Sequence, residues 1–65
     1  MVARMWTKKE TQQTLKQLRE EGVEITKTGG MDGKMYRGVL NGELVFQAGE
    51  WGRGYLVRIK EEWVS

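Results

Sequence analysis

The spacing of apolar residues changes from helical to alternating at Gly22. Before this glycine, residues 8 to 21 carry a narrow stripe at helical spacing, formed by Thr11, Thr14, Leu15 and Leu18. After it, apolar and polar residues alternate, as in a half-buried strand. The pattern predicts one helix followed by antiparallel strands.

Both ends of the predicted helix carry recognisable signals. The run from Thr7 to Glu10 fits a capping box, in which each of these two side chains accepts a hydrogen bond from the other residue's amide. Gly22 can adopt the left-handed conformation that ends many helices. We therefore expect the helix over residues 8–21 and a first strand over residues 23–28.

The strongest turn signal is Asn41-Gly42, which separates two runs rich in apolar residues. A type I′ turn requires positive φ at both central residues, and Asn-Gly is the favoured pair. If the register set by this turn continues along both strands, Gly38 lies opposite Val45 and Arg37 lies opposite Phe46.

That register assigns the side chains of the hairpin to two faces. We expect the face that carries Phe46 to pack on the helix and the face that carries Tyr36 to stay partly uncovered, because one helix covers one face. The expected helix side comprises Met35, Arg37, Val39, Leu44, Phe46 and Ala48, and the other side comprises Tyr36, Gly38, Leu40, Glu43, Val45 and Gln47.

Two glycine-rich segments complete the predicted topology. Residues 29–33 and 49–54 read as hairpin loops, the second of which leads into a last strand over residues 55–60. Trp6, Trp63 and Val64 are expected to close the ends of the core. The predicted fold is a single α+β domain spanning residues 1–65, in which one N-terminal helix packs on a three- to four-stranded antiparallel meander in the order α-β-β-β-β.

Composition argues against an enzyme. The chain has 65 residues and contains neither Cys nor His, so the commonest zinc ligands and the usual general base near neutral pH are missing. Neither Glu20-Glu21 nor Glu61-Glu62 forms a converging pair, because sequence neighbours point in different directions. We expect no catalytic residues, no metal and no cofactor.

Hydropathy favours a soluble protein, and charge makes an anionic partner plausible if the basic segments share a face; the alternative is a mixed, solvated surface. The net charge is +2 with a pI of about 9.2, and the basic residues are concentrated in residues 1–19 and 34–60. No apolar run approaches the ~20 residues that span a bilayer, and residues 1–6 are too short for a signal peptide. The expected location is the cytoplasm, without a membrane partner.

The most distinctive segment is Trp51-Gly52-Arg53-Gly54-Tyr55, where glycines flank an arginine between two aromatic residues. Such a loop can present Arg53 to a phosphate or a base edge, with Trp51 or Tyr55 as a stacking surface. The structural alternative is a hairpin loop whose Trp51 folds onto the sheet. The sequence predicts a non-enzymatic nucleic-acid-binding module that uses the sheet and this loop. The further candidate contacts are Lys34, Arg37, Arg58 and Lys60.

A second hypothesis is a small protein-binding module, such as a phage-type inhibitor, an adaptor or a homo-oligomer. Its anchor would be the apolar group Tyr36, Leu40 and Val45 together with the Trp residues, because aromatic residues are also favoured at protein interfaces. Salt separates the two hypotheses, since phosphate binding weakens steeply as salt rises. The motifs assign the chain to no known family.

Overall fold

A computed structural model describes residues 1–30 and 33–63 and confirms the α+β class. One helix packs on one face of an antiparallel sheet. The elements are β1 (Val2–Thr7), α1 (Lys8–Glu20), β2 (Glu24–Gly30), β3 (Gly33–Leu40), β4 (Glu43–Trp51), β5 (Gly54–Ile59) and a short 3-10 helix (Glu61–Trp63).

The described residues form a sheet of five strands in the order β1-β5-β4-β3-β2, whereas three to four were predicted. The additional strand, β1, precedes the helix and pairs along its length with β5, from Val2 opposite Ile59 to Thr7 opposite Gly54. Helix α1 then crosses the sheet to β2 at the opposite edge. Trp6, expected to close the core, belongs to β1, and its ring centroid lies 6.3 Å from that of Phe46.

The helix ends match the predicted caps. The Glu10 amide donates to Thr7 Oγ1 at 3.1 Å and the Thr7 amide donates to Glu10 Oε1 at 3.3 Å. At the other end Gly22 has φ +93°, and Val23 N donates to Leu18 O at 3.0 Å. This arrangement is a Schellman motif. The helix therefore ends at Glu20, one residue earlier than predicted.

The Asn41-Gly42 hairpin is confirmed, with φ +53° and +79° at its two central residues. The register expected from this turn holds for the pairs Leu40–Glu43 and Val39–Leu44 and is wrong beyond them. A β-bulge shifts it, so that Gly38 opposes Phe46 and Arg37 opposes Gln47. The extra residue in β4 is Val45.

The bulge exchanges the predicted faces of β3. Tyr36 and Gly38 share the helix side with Phe46 and Ala48, whereas Met35 and Arg37 lie on the side away from the helix. Val45 and Phe46 are both buried, because the bulge interrupts the alternation of β4 at Val45. The core comprises Leu15, Leu18, Val23, Tyr36, Val45, Phe46, Ala48, Tyr55, Val57 and Ile59.

The glycine-rich segments form tighter connections than predicted. Strands β4 and β5 continue to the pair Trp51 and Gly54, which leaves Gly52-Arg53 as the turn. Strands β2 and β3 pair as far as Gly30 and Gly33, and the intervening residues 31–32 lie outside the described part. Trp63 is partly buried against the core as predicted, and Val64 lies outside the described residues.

Candidate functional site

Within the described residues, one face of the sheet is not covered by a helix, and we call it the open face. Its position follows from strand alternation, because the neighbours of the buried residues point away from α1. The central part of the open face comprises Ala3, Met5, Thr26, Thr28, Met35, Arg37, Gln47, Gly49, Trp51, Leu56 and Arg58.

An apolar cluster occupies one end of the open face. Met5 lies directly opposite Leu56, and Leu56 opposes Gly49, which in turn opposes Met35. Trp51 stands two residues beyond Gly49 on the same face. These side chains are exposed to 58% (Met5), 40% (Met35), 66% (Trp51) and 40% (Leu56). The cluster is too exposed to serve as core, and exposed apolar patches commonly mark binding surfaces.

Two arginines lie beside this cluster in a single row across the sheet. Arg37 opposes Gln47 and Gln47 opposes Arg58, so β4 separates the two arginines, whose strands are about 10 Å apart. Both are exposed. Within residues 1–30 and 33–63, the ion pairs are those of Lys60 with Glu43 and Glu62. Arg37 and Arg58 therefore have no carboxylate partner in the described part.

Trp51 forms part of two shallow grooves that are open to solvent. The first, of about 290 Å³, runs along the open face past Met35 and Leu56 to Arg58. The second continues around the end of the sheet, between Met5 and the Gly52-Arg53 turn. The indole thus stands between an arginine on the sheet and another on the turn. Shallow connected grooves suit an extended ligand better than an enclosed small molecule.

The structure brings together four of the seven residues predicted to contact nucleic acid, namely Arg37, Trp51, Arg53 and Arg58. The other three lie elsewhere. Tyr55 is buried on the helix side, with its ring centroid 5.9 Å from that of Tyr36, so it cannot stack on a ligand. Lys34 alternates to the helix side of β3.

Lys60 follows the end of β5 and forms an ion pair with Glu43 at the start of β4. The hydrogen bond to the Glu43 carboxylate raises the pKa of Lys60 above its usual value. Glu62 lies 3.7 Å from the same ammonium group. The charge of Lys60 is therefore largely committed to two carboxylates and less available to a ligand.

The predicted protein-binding group does not form an uncovered surface. Tyr36 and Val45 are 5% and 3% exposed, and Leu40 is partly buried against the core. The prediction failed because it extended the hairpin register through the bulge. Gln12 Nε2 donates to the Tyr36 hydroxyl at 3.3 Å, and this bond lowers the Tyr36 pKa, whereas burial raises the pKa of Tyr55.

Sequence reasoning missed Met5, Met35, Gln47 and Leu56 as components of the site. A signal for the bulge was present, because Leu44-Val45-Phe46 places three apolar residues in a row and breaks the alternation. Alternation along the predicted last strand, residues 55–60, does place Leu56 on the same face as Arg58. Without the positions of β1 and the bulge, that face could not be joined to Met5 and Met35.

Neither metal ligation nor similarity to known proteins gives a further indication of function. Among the described residues, no group of three or more His, Cys, Asp or Glu side chains could hold a metal ion. The one α-helix in this part of the chain is too short and too polar to cross a membrane. No protein-family model, curated protein or solved structure matches the chain.

Proposed function

We propose that the protein binds single-stranded nucleic acid on its open face. The observation that carries this proposal is the position of Trp51, an exposed indole between two grooves that lead to Arg58 and Arg53. Aromatic side chains stack on unpaired bases, while arginines neutralise phosphates or stack on bases themselves. The arrangement supplies both kinds of contact along one continuous surface.

The dimensions of the open face favour a single strand over a duplex. Five strands about 4.8 Å apart make a face roughly 19 Å wide, whereas the major groove of B-DNA is about 12 Å wide and admits a helix or a two-stranded ribbon. Stacking on Trp51 also requires a base that is free of its partner. A nucleic-acid ligand agrees with the cytoplasmic location expected from the sequence.

A protein partner is the second candidate, and the composition of the open face favours it. Trp, Met and Arg are enriched at protein interfaces and Lys is depleted. The central open face contains all three favoured types and no Lys. The two candidates differ in salt dependence, because only phosphate binding releases a counterion for each contact.

The decisive experiment is a titration with a labelled single-stranded oligonucleotide at several salt concentrations. Trp51→Ala should weaken binding by about 1–3 kcal/mol. Because Trp51 is 66% exposed, the melting temperature should remain close to that of the wild type. Wild-type protein that binds no single strand at low salt would refute the proposal and leave the protein partner as the better candidate.

Arg53 offers a second test with a matched control. Arg53→Gln should flatten the salt dependence of single-strand binding by about 0.7 units of log–log slope, the value for one lost phosphate contact. The control is Arg4→Gln, which removes an exposed arginine from β1 on the helix side. Equal effects of the two substitutions would show that binding responds to net charge and not to this surface.

A further inference from the structure

A second basic surface lies on the opposite side of the molecule, beside the helix. Lys8, Gln12, Lys16 and Arg19 follow one another at intervals of four, four and three residues, which places them along one flank of α1. None of the three cations has a carboxylate within ion-pair distance in the described part.

Contacts with the sheet show which way this flank faces. Gln12 donates to the hydroxyl of Tyr36, and Tyr36 opposes Lys27 across β2 and β3. Lys27 is therefore on the helix side, and Lys34 lies two residues before Tyr36 on the same side. Both ammonium groups contribute to lowering the Tyr36 pKa, which agrees with their convergence on this corner. Lys9 lies seven residues, or about two helical turns, before Lys16 and so belongs to the same flank. The helix-side basic surface comprises Lys8, Lys9, Lys16, Arg19, Lys27 and Lys34.

Within the described residues, carboxylates lie at two borders of this surface. Glu20 and Glu21 lie at the end of α1, and Glu50 Oε1 accepts a hydrogen bond from Lys34 N at 3.3 Å. The chain's net charge is only +2, so a concentration of six cations beside one helix flank is a strong local asymmetry. Such asymmetry raises the local concentration of polyanions.

We infer that the helix-side basic surface is a second binding site, which takes the phosphate backbone of duplex nucleic acid without reading its sequence. The surface is rich in lysine, which acts as a point charge, and its one tyrosine is buried, so it offers charge but no stacking surface. The inference stands apart from the proposal for the open face. Together the two sites would let one chain hold a single strand and a duplex at once.

A lipid surface is the less suitable occupant. Helices that bind membranes insert exposed apolar side chains beside their lysines. Here the flank interleaves its cations with Gln12, and the apolar residues Leu15 and Leu18 are buried against the sheet. The large exposed apolar residues within the described part lie on strands or at the amino terminus, not on the helix.

The test compares two double variants, each of which removes two charges from one surface. K8Q/K16Q should flatten the salt dependence of duplex binding by about 1.8 units of log–log slope and leave single-strand binding unchanged. R37Q/R58Q should flatten the salt dependence of single-strand binding by about 1.4 units of log–log slope and leave duplex binding unchanged. Gln matches Lys in helix propensity, so K8Q/K16Q should melt like the wild type.

Three results would overturn the inference. The first is that K8Q/K16Q binds duplex as tightly, and with the same salt dependence, as the wild type. The second is an equal loss of duplex binding in both double variants, which would indicate one shared surface. The third is binding of the wild type to phosphatidylserine vesicles but not to duplex. Conversely, duplex binding that depends on Lys8 and Lys16 without any single-strand binding would uphold this inference and refute the open-face proposal.

Discussion

At the scale of single residues, Gly54 determines whether β1 can join the sheet. It is the first residue of β5 and pairs with Thr7, the last residue of β1. A Cβ atom built on Gly54 would overlap the backbone carbonyl oxygen of Trp6. A backbone atom cannot swing away as a side chain can, so any side chain at this position would push the two strands apart.

Gly54→Ala should therefore destabilise the protein by about 1–3 kcal/mol, the usual cost of overpacking, or more. The matched control is Gly29→Ala in β2, because a Cβ atom there meets nothing within 4 Å and the backbone is not left-handed. Thermal unfolding of both variants measures the difference. If the two substitutions lower the stability equally, β1 does not approach Gly54 as closely as described.

At the scale of elements, Thr7 couples β1 to α1. It is the last residue of the strand and also the N-cap of the helix, and its carbonyl accepts a hydrogen bond from Thr11 Oγ1 at 2.9 Å. Thr11 is fully buried, so this bond ties the first helical turn to the sheet. The direction in which α1 leaves β1 is thus fixed by a few local hydrogen bonds.

Thr7→Ala should cost about 1 kcal/mol of stability, because it removes the side chain that accepts from the Glu10 amide. Gln17→Ala is a suitable control, since Gln17 is exposed on the same helix and alanine is the better helix former. In urea unfolding, Thr7→Ala should lower the free energy of unfolding relative to the wild type, and Gln17→Ala should raise it. A neutral Thr7→Ala would mean that the capping box does not stabilise the helix.

Elements that depend on near neighbours could be predicted from the sequence, and those that depend on distant ones could not. The capping box, Gly22 and the Asn41-Gly42 turn are local signals, and all three were correct. Strand β1 has apolar residues on both faces, and its partner lies about fifty positions away, so its own pattern does not identify it. The grouping of Arg37 with Arg58 likewise required the bulge to be placed.

At the scale of the whole molecule, the strands differ in pairing and burial across the sheet. Strand β4 is central and paired on both sides, whereas β1 is an edge strand that is mostly exposed. We expect amides of β1 to exchange with solvent faster than those of β4, because local opening at an edge disrupts fewer contacts. Hydrogen exchange followed by NMR measures this directly. Equal protection of the two strands would contradict the expectation.

The strand order also has a consequence for the timing of synthesis. Of the five described strands, β1 is synthesised first, and β5, its neighbour in the sheet, is synthesised last. The intervening meander from β2 to β5 closes through short hairpins, which form quickly, while joining β1 to β5 closes a far longer loop. The nascent chain therefore carries Met5 and Trp6 on an unpaired strand until residues 54–59 have left the ribosome, and the sheet is completed only then.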